Sequence, residues 1–317
     1  MKKTTIKVEN NDVLESLRTF LKQLLESQFV SAVLVPKMLP SGDGFVQSLI
    51  KNPSMLKETN PVAPTLAVQS AQILSELTSS DFKGRIGAVV KPCELRAVVE
   101  LAKFLQVNLD NIVTIGVDCP GTYEVKDYSE MNEQDRKAAV QELINAISKG
   151  EVKTDNATVI REACQICEYP VPLNADITIG LLGSDASKEI SVFVGDKFEK
   201  ELAEKLSLDL KDEEGTGRED AIKAIISKRK EARDKVLNEM REQVNGLDKF
   251  LDVFSTCIRC HNCMNVCPIC YCKECVFESS VFTKISDIPV AVVAVNCMNS
   301  ISSQHSPLFV LLWTWKR

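Results

Sequence analysis

An α/β domain, a helical connector and a short cysteine-rich segment are what this sequence predicts, and three observations predict them. Apolar runs of five or six residues alternate with stretches of helical periodicity as far as residue 195. That is the pattern of strands and crossover helices in a mixed or largely parallel sheet. Residues 196 to 247 are mostly charged and helical in pattern, interrupted at Gly215-Thr216-Gly217. From Cys257 the chain changes again, with Cys257, Cys260, Cys263, Cys267, Cys270, Cys272 and Cys275 in one short stretch. A length of 317 residues fits about two domains at roughly 150 residues each.

Asn11 or Asp12 caps a first helix, whose apolar positions Val13, Leu14, Leu17, Phe20, Leu21, Leu24 and Leu25 share one face. Ser31 to Val35 reads as a buried strand. Ile86 to Val90 is the second apolar run and ends in Lys91-Pro92-Cys93, after which Glu94 opens a helix through Leu95, Val98, Val99, Leu101, Ala102 and Leu105. Ile112 to Val117 is the third strand and ends at Asp118-Cys119-Pro120-Gly121. A helix is expected over 132–148, then the segment Arg161 to Cys167, then a strand pair from Asp176 to Leu182 and Ile190 to Val194. Ligands of such sheets sit beyond the carboxyl ends of the strands. Cys93 and Cys119 both occupy that position, so one edge of the sheet brings them together.

Composition narrows the chemistry. The net charge is −6, with no basic stripe to follow a phosphate backbone, so nucleic-acid binding is not expected. No apolar run reaches the ~18 residues of a membrane span, and the first residues carry no apolar secretory core. A cytoplasmic protein is expected. There are twelve cysteines and two histidines, His261 and His305, which excludes a histidine-rich metal site. Without a visible export route, so many cysteines argue for metal ligation rather than disulfides.

Cys257-x2-Cys260-x2-Cys263-x3-Cys267-Pro268 matches the bacterial ferredoxin run for a 4Fe–4S cluster. Three thiolates two residues apart wrap one corner of a cubane, and the proline turns the chain away. Zinc sites favour paired Cys-x2-Cys units with a longer gap between them. The fourth cysteine of such a run ligates the other cluster in two-cluster ferredoxins, but no second run follows. Whether Cys270, Cys272, Cys275 or Cys297 supplies that second site, or simply packs near the first cluster, stays open. His261 reads as solvated or cluster-adjacent rather than a ligand.

The remaining cysteines fall in three fragments: Lys91-Pro92-Cys93-Glu94 after a strand, Gly116-Val117-Asp118-Cys119 after the next, and Arg161-x2-Cys164-x2-Cys167 ahead of Ala175-Asp176-Ile177-Thr178-Ile179-Gly180. In this order and spacing they resemble the beta subunits of coenzyme F420-reducing hydrogenases and dehydrogenases, a family that includes formate dehydrogenase beta chains. With the ferredoxin run, the resemblance covers roughly residues 30 to 275. It implies FAD and iron–sulfur clusters in a subunit that carries electrons between a hydride carrier and one-electron centres. It also implies that Cys93, Cys119, Cys164 and Cys167 hold a 4Fe–4S cluster in the α/β domain. From the residues alone, Cys93 and Cys119 read equally as ordinary buried thiols beside a special Cys164-x2-Cys167. No G-x-G-x-x-G motif follows a strand, so FAD rests on the resemblance. Lys91, Ser41, Gly42 and Gly44 are candidates for its phosphate, against the plain reading of a surface turn and a strand-end lysine.

The expected organisation is therefore an α/β flavin and iron–sulfur domain over 1–195, a helical connector over 196–250, a ferredoxin-type 4Fe–4S segment over 251–280, and an apolar tail over 281–317. The tail departs from relatives that continue into a second ferredoxin motif. It is expected to be a docking segment or the product of a truncated or frameshifted reading frame, the latter favoured. The expected function is electron transfer in a multi-subunit oxidoreductase, with a hydrogenase, formate dehydrogenase or heterodisulfide-reductase-like subunit as partner. No catalytic residue is singled out. Two other classes remain: an iron–sulfur scaffold subunit without flavin, and a zinc-binding interaction module.

Overall fold

The computed structural model describes residues 1–79, 82–148, 160–183, 185–212, 217–258 and 262–270. The chain divides into two compact units, Met1–Arg229 and Lys230–Arg317. The first is built on an eight-stranded mixed sheet.

In chain order, β1 (Lys2–Lys7) precedes α1 (Val13–Glu26), then β2 (Ala32–Met38) and β3 (Phe45–Ile50) form a hairpin. A 3-10 turn, Pro53–Glu58, leads to α2 (Ser70–Ser79), β4 (Ile86–Val90), α3 (Pro92–Lys103) and β5 (Ile112–Val117). Next come α4 (Val125–Glu130), α5 (Glu133–Ser148) and the single turn α6 (Glu162–Gln165). The sheet is completed by β6 (Ile177–Gly180), β7 (Glu189–Val194) and, after α7 (Glu199–Leu206), the short β8 (Lys211–Asp212). The long helix α8 (Arg218–Gln243) belongs to the first unit as far as Arg229; the second unit continues it and adds α9 (Leu247–Phe254) and α10 (Asn262–Val266).

The strand order is β3-β2-β4-β5-β6-β7-β1-β8. The four middle strands β2, β4, β5 and β6 run parallel, and β3, β7, β1 and β8 attach antiparallel. Burial explains that division. Every residue of β4, β5 and β6 is buried, as expected of parallel strands covered on both faces. β8 is exposed throughout and closes one edge.

The predicted strands and helices are present near their expected positions. α1 begins where Asp12 accepts a 2.9 Å bond from the Glu15 amide, and its stripe Val13, Leu17, Phe20, Leu21, Leu24 is buried, as the periodicity required. α3 starts earlier than expected, at Pro92, because Glu94 folds back to accept a 2.9 Å bond from the Lys91 amide, the half of a capping box that a glutamate supplies. The first unit also runs past the expected boundary at 195. Leu202 of α7 is fully buried, Phe198 nearly so, and β8 pairs with β1.

Candidate metal centre

β4 and β5 lie side by side, with Val90 opposite Gly116. Cys93 and Cys119 each stand three residues beyond that pair, so the parallel register alone sets them at one sheet edge. Cys93 occupies the first turn of α3. Cys119 is tied down by a 2.8 Å bond from its amide to the Pro170 carbonyl.

Cys164 and Cys167 reach the same edge through a folded segment ahead of β6. Ile160 bridges to Tyr123, and the Arg161 amide bonds the Thr122 carbonyl at 2.9 Å. Together they lay the start of α6 along the loop that follows Cys119. The Cys164 sulfur lies 3.6 Å from the Thr122 hydroxyl, and the Cys167 thiol contacts the Tyr169 carbonyl at 3.8 Å. Asp176 anchors the end of the segment: its carboxylate accepts from the Thr114 amide and hydroxyl, both at 2.8 Å. Arg96 of α3 stacks 3.9 Å over the Tyr169 ring, which joins the helix of Cys93 to the segment of Cys167.

Two glycines are needed for this approach. Gly121 has φ +120, and a side chain there would meet Ile160 at 2.9 Å and the Cys164 Cβ at 3.1 Å. A side chain at Gly116 would lie 2.4 Å from Pro172.

The four predicted cysteines are thus gathered, and Cys119, Cys167 and Cys164 all bear on the ionisation of Cys93. Burial pushes Cys93 well above the ordinary thiol range, and the neighbouring Glu94 adds to it. Burial likewise raises Cys119 and lifts Cys167 to about 11. Such thiols are protonated at neutral pH, the reverse of an activated nucleophile; only binding a metal would strip their protons. Among the described residues, no three His, Cys, Asp or Glu side chains stand close enough to hold a single metal ion. A cubane spreads its four thiolate ligands more widely, because irons and sulfides lie between them.

Two buried cations border the thiols. Lys91 is 6% exposed, donates 2.9 Å to the Ala63 carbonyl and favours ionisation of Cys119. Arg229, 5% exposed, donates 2.6 Å to the Pro120 carbonyl and 3.3 Å to that of Cys167. Nothing in the sequence singles out Arg229: it is one of many charges in a segment read as a helical connector. Glu94, 1% exposed, is equally central, accepting from the Ser70 amide at 2.8 Å and its hydroxyl at 2.7 Å. It therefore caps α2 as well as α3. Among the described residues, the buried side-chain oxygens of Gln47, Thr65 and Gln69 lack any hydrogen-bond partner, and the Gln47 amide donates to Glu94 at 3.4 Å.

Ser41, Gly42 and Gly44 lie in the turn between β2 and β3. The exposed Ser41 hydroxyl bonds Asp43, Gly42 has φ +73 and Gly44 is buried.

In the second unit Cys263 is buried, and Cys257 and Cys267 are partly so. The Cys267 amide bonds the Cys263 carbonyl at 3.1 Å. Cys270 is exposed. Cys260, His261, Cys272, Cys275, Cys297, His305 and the tail lie outside the described residues. Among the described residues, no helix is long and apolar enough to cross a membrane.

Residues 83–211 match the family model for the C-terminal part of the beta subunit of coenzyme F420 hydrogenase/dehydrogenase. An F420-dependent formate dehydrogenase 1 subunit beta of Methanococcus maripaludis is 34% identical over 215 residues, 60% of this chain and 56% of that protein. The chain thus matches just over half the length of that relative. An F420-dependent formate dehydrogenase subunit beta of Methanocaldococcus jannaschii is 26% identical over 317 residues, 91% of this chain and 82% of that protein. A chain of the F420-reducing NiFe hydrogenase complex from Methanosarcina barkeri shares the fold, with a TM-score of 0.53 at 15% identity over 78% of this chain and 94% of that one.

Proposed function

Because residues 83–211 match the family model for the coenzyme F420 hydrogenase/dehydrogenase beta subunit, we propose that the chain is the flavin- and iron–sulfur-bearing electron-transfer subunit of a multi-subunit oxidoreductase. The observation that carries this reading is the convergence of Cys93, Cys119, Cys164 and Cys167 beside two buried cations. Burying cations without anionic partners is costly. Among the described residues, both Lys91 and Arg229 bond backbone carbonyls rather than a carboxylate. A 4Fe–4S cluster held by four thiolates is an anion and would supply the missing charge.

In this reading Cys93, Cys119, Cys164 and Cys167 hold one cluster, and Cys257, Cys260, Cys263 and Cys267 serve a second, ferredoxin-type cluster. When bound, flavin supplies two-electron hydride chemistry and the clusters one-electron transfer. The unpartnered oxygens of Gln47, Thr65 and Gln69 fit the polar edge of an organic cofactor at the carboxyl end of β4. Lys91 and the Ser41-Gly42-Asp43-Gly44 turn would serve its phosphates. The relatives' names favour a formate dehydrogenase or hydrogenase partner, with a heterodisulfide-reductase-like subunit as the third option, in the cytoplasm.

Anaerobic purification followed by iron, sulfide, flavin and zinc analysis tests the proposal. Flavin together with about eight irons per chain, as two 4Fe–4S cubanes require, supports it. Clusters without flavin would point to the scaffold reading, and zinc without iron would overturn it.

A further inference from the structure

We propose that Arg229 is the positioning and charge-compensating residue of the four-cysteine cradle. It joins the loop of Cys119 to the segment of Cys167 and sets its cation against the cluster they hold. This rests on the reading that Cys93, Cys119, Cys164 and Cys167 ligate a 4Fe–4S cluster.

Two observations carry it. Arg229 comes from α8, outside all three cysteine fragments, and its two terminal nitrogens reach the carbonyls of Pro120 at 2.6 Å and Cys167 at 3.3 Å. One planar fork therefore sets the spacing between two backbone segments that each carry a ligand, a task the single ammonium of lysine cannot perform. The residue is only 5% exposed, yet among the described residues its Nε–H has no hydrogen-bond partner. A buried donor left unsatisfied is costly unless something absent from the bare polypeptide accepts from it.

The chemistry gives that charge a direction. A cubane bound by four thiolates is anionic and becomes more so on taking up an electron. A fixed neighbouring cation stabilises the reduced form more than the oxidised form and raises the reduction potential. Donors to the cluster sulfurs act in the same sense.

The test uses the full chain, reconstituted anaerobically, as the parent and as Arg229→Met, Arg229→Gln, Arg229→Lys and Cys119→Ser. The readouts are iron content and an EPR-monitored redox titration. Cys119→Ser identifies the signal and the roughly four irons that belong to this cradle. If it removes neither, the cluster reading itself has failed, whatever the arginine variants do. If it removes both, the neutral variants are expected to shift the cradle's midpoint to lower potential and to lose part of its iron. Arg229→Lys is expected to titrate close to the parent but to fill incompletely. Gln stands in where Met does not fold, and Lys decides where neither neutral chain folds. Neutral variants with the parental midpoint and iron content overturn the proposal. So does an Arg229→Lys midpoint that is displaced from the parent's.

Discussion

Arg218 grips Asp118 with both arms of its guanidinium: Nη2 donates to Oδ1 at 2.8 Å and Nη1 to Oδ2 at 2.5 Å. The Asp118 side chain has no exposed surface, and Oδ2 also accepts the amides of Leu181 at 2.8 Å and Leu182 at 3.0 Å. One carboxylate thus ties the end of β5 to the end of β6 and to the first turn of α8. Removing one partner of a buried pair strands the other charge. Arg218→Met is expected to cost about 3–5 kcal/mol. Because the two groups act as a unit, adding Asp118→Asn should cost far less than the sum of the single changes. Urea unfolding of the three variants measures this.

The second prediction concerns where the first unit ends. A chain stopped after Leu206 lacks both Arg218 and Arg229, which leaves Asp118 without its cation and the Pro120 and Cys167 carbonyls without their bridge. It should be poorly folded and pale. A chain stopped after Gln243 keeps both arginines and should retain about four irons, one cubane. Iron analysis and far-UV circular dichroism of the two fragments separate the cases; a brown, cooperative fragment ending at Leu206 refutes the prediction.

Gly121 offers a sharper probe of the cradle. Its φ of +120 and the 3.1 Å to the Cys164 Cβ exclude a side chain on both conformational and steric grounds. Gly121→Ala should destabilise the protein by about 1–3 kcal/mol and lower iron occupancy. A melting curve with a parallel iron assay reads both effects.

How much of this was legible beforehand depended on what each residue announces by itself. The buried strands announced themselves because β4, β5 and β6 are apolar except for Thr114 and Thr178, and Cys93 and Cys119 followed from their place after such strands. β1, with Lys2, Lys3, Thr4 and Thr5, has too little apolar content to read as a strand; its place is fixed by pairing with β7, far along the chain. Arg218 and Arg229 sit in a charge-rich stretch, Arg218 followed by Glu219 and Asp220 and Arg229 flanked by Lys228 and Lys230, all four of them exposed. A single buried guanidinium does not change that average, and the partners, the Asp118 carboxylate for Arg218 and backbone carbonyls for Arg229, lie far away in the chain and leave no mark beside them in sequence.

Tyr123 gives a prediction in pH. It is 3% exposed, and burial raises its phenol to about 12, against about 10 in an unfolded chain. Below pH 10 both states hold the proton and the contribution to stability is complete. Between 10 and 12 the unfolded chain releases the proton first, so stability falls by an amount on the order of 2–3 kcal/mol across that window. Tyr123→Phe should flatten this part of the stability curve; an unchanged slope would mean that other groups cause it.

For the ferredoxin-type run, Cys263→Ser is expected to remove about four irons and the EPR signal of one cluster while leaving the other signal intact. The same result is expected for Cys260→Ser. Unchanged iron in both variants would sink the assignment.

The position of β1 bears on how the chain is made. It lies between β7 and β8 and pairs with β7 in the register Lys2 to Val194. At 5–20 residues per second, a ribosome needs roughly 10–40 s after making β1 before β7 is complete. For that interval β1 lacks both of the strands it pairs with in the described sheet, and an unpaired strand invites off-pathway association. A stretch synthesised long before β7 is among the last to find its place. Translation speed and chaperone supply therefore bear most heavily on the six residues Lys2–Lys7, far in sequence from the cysteines.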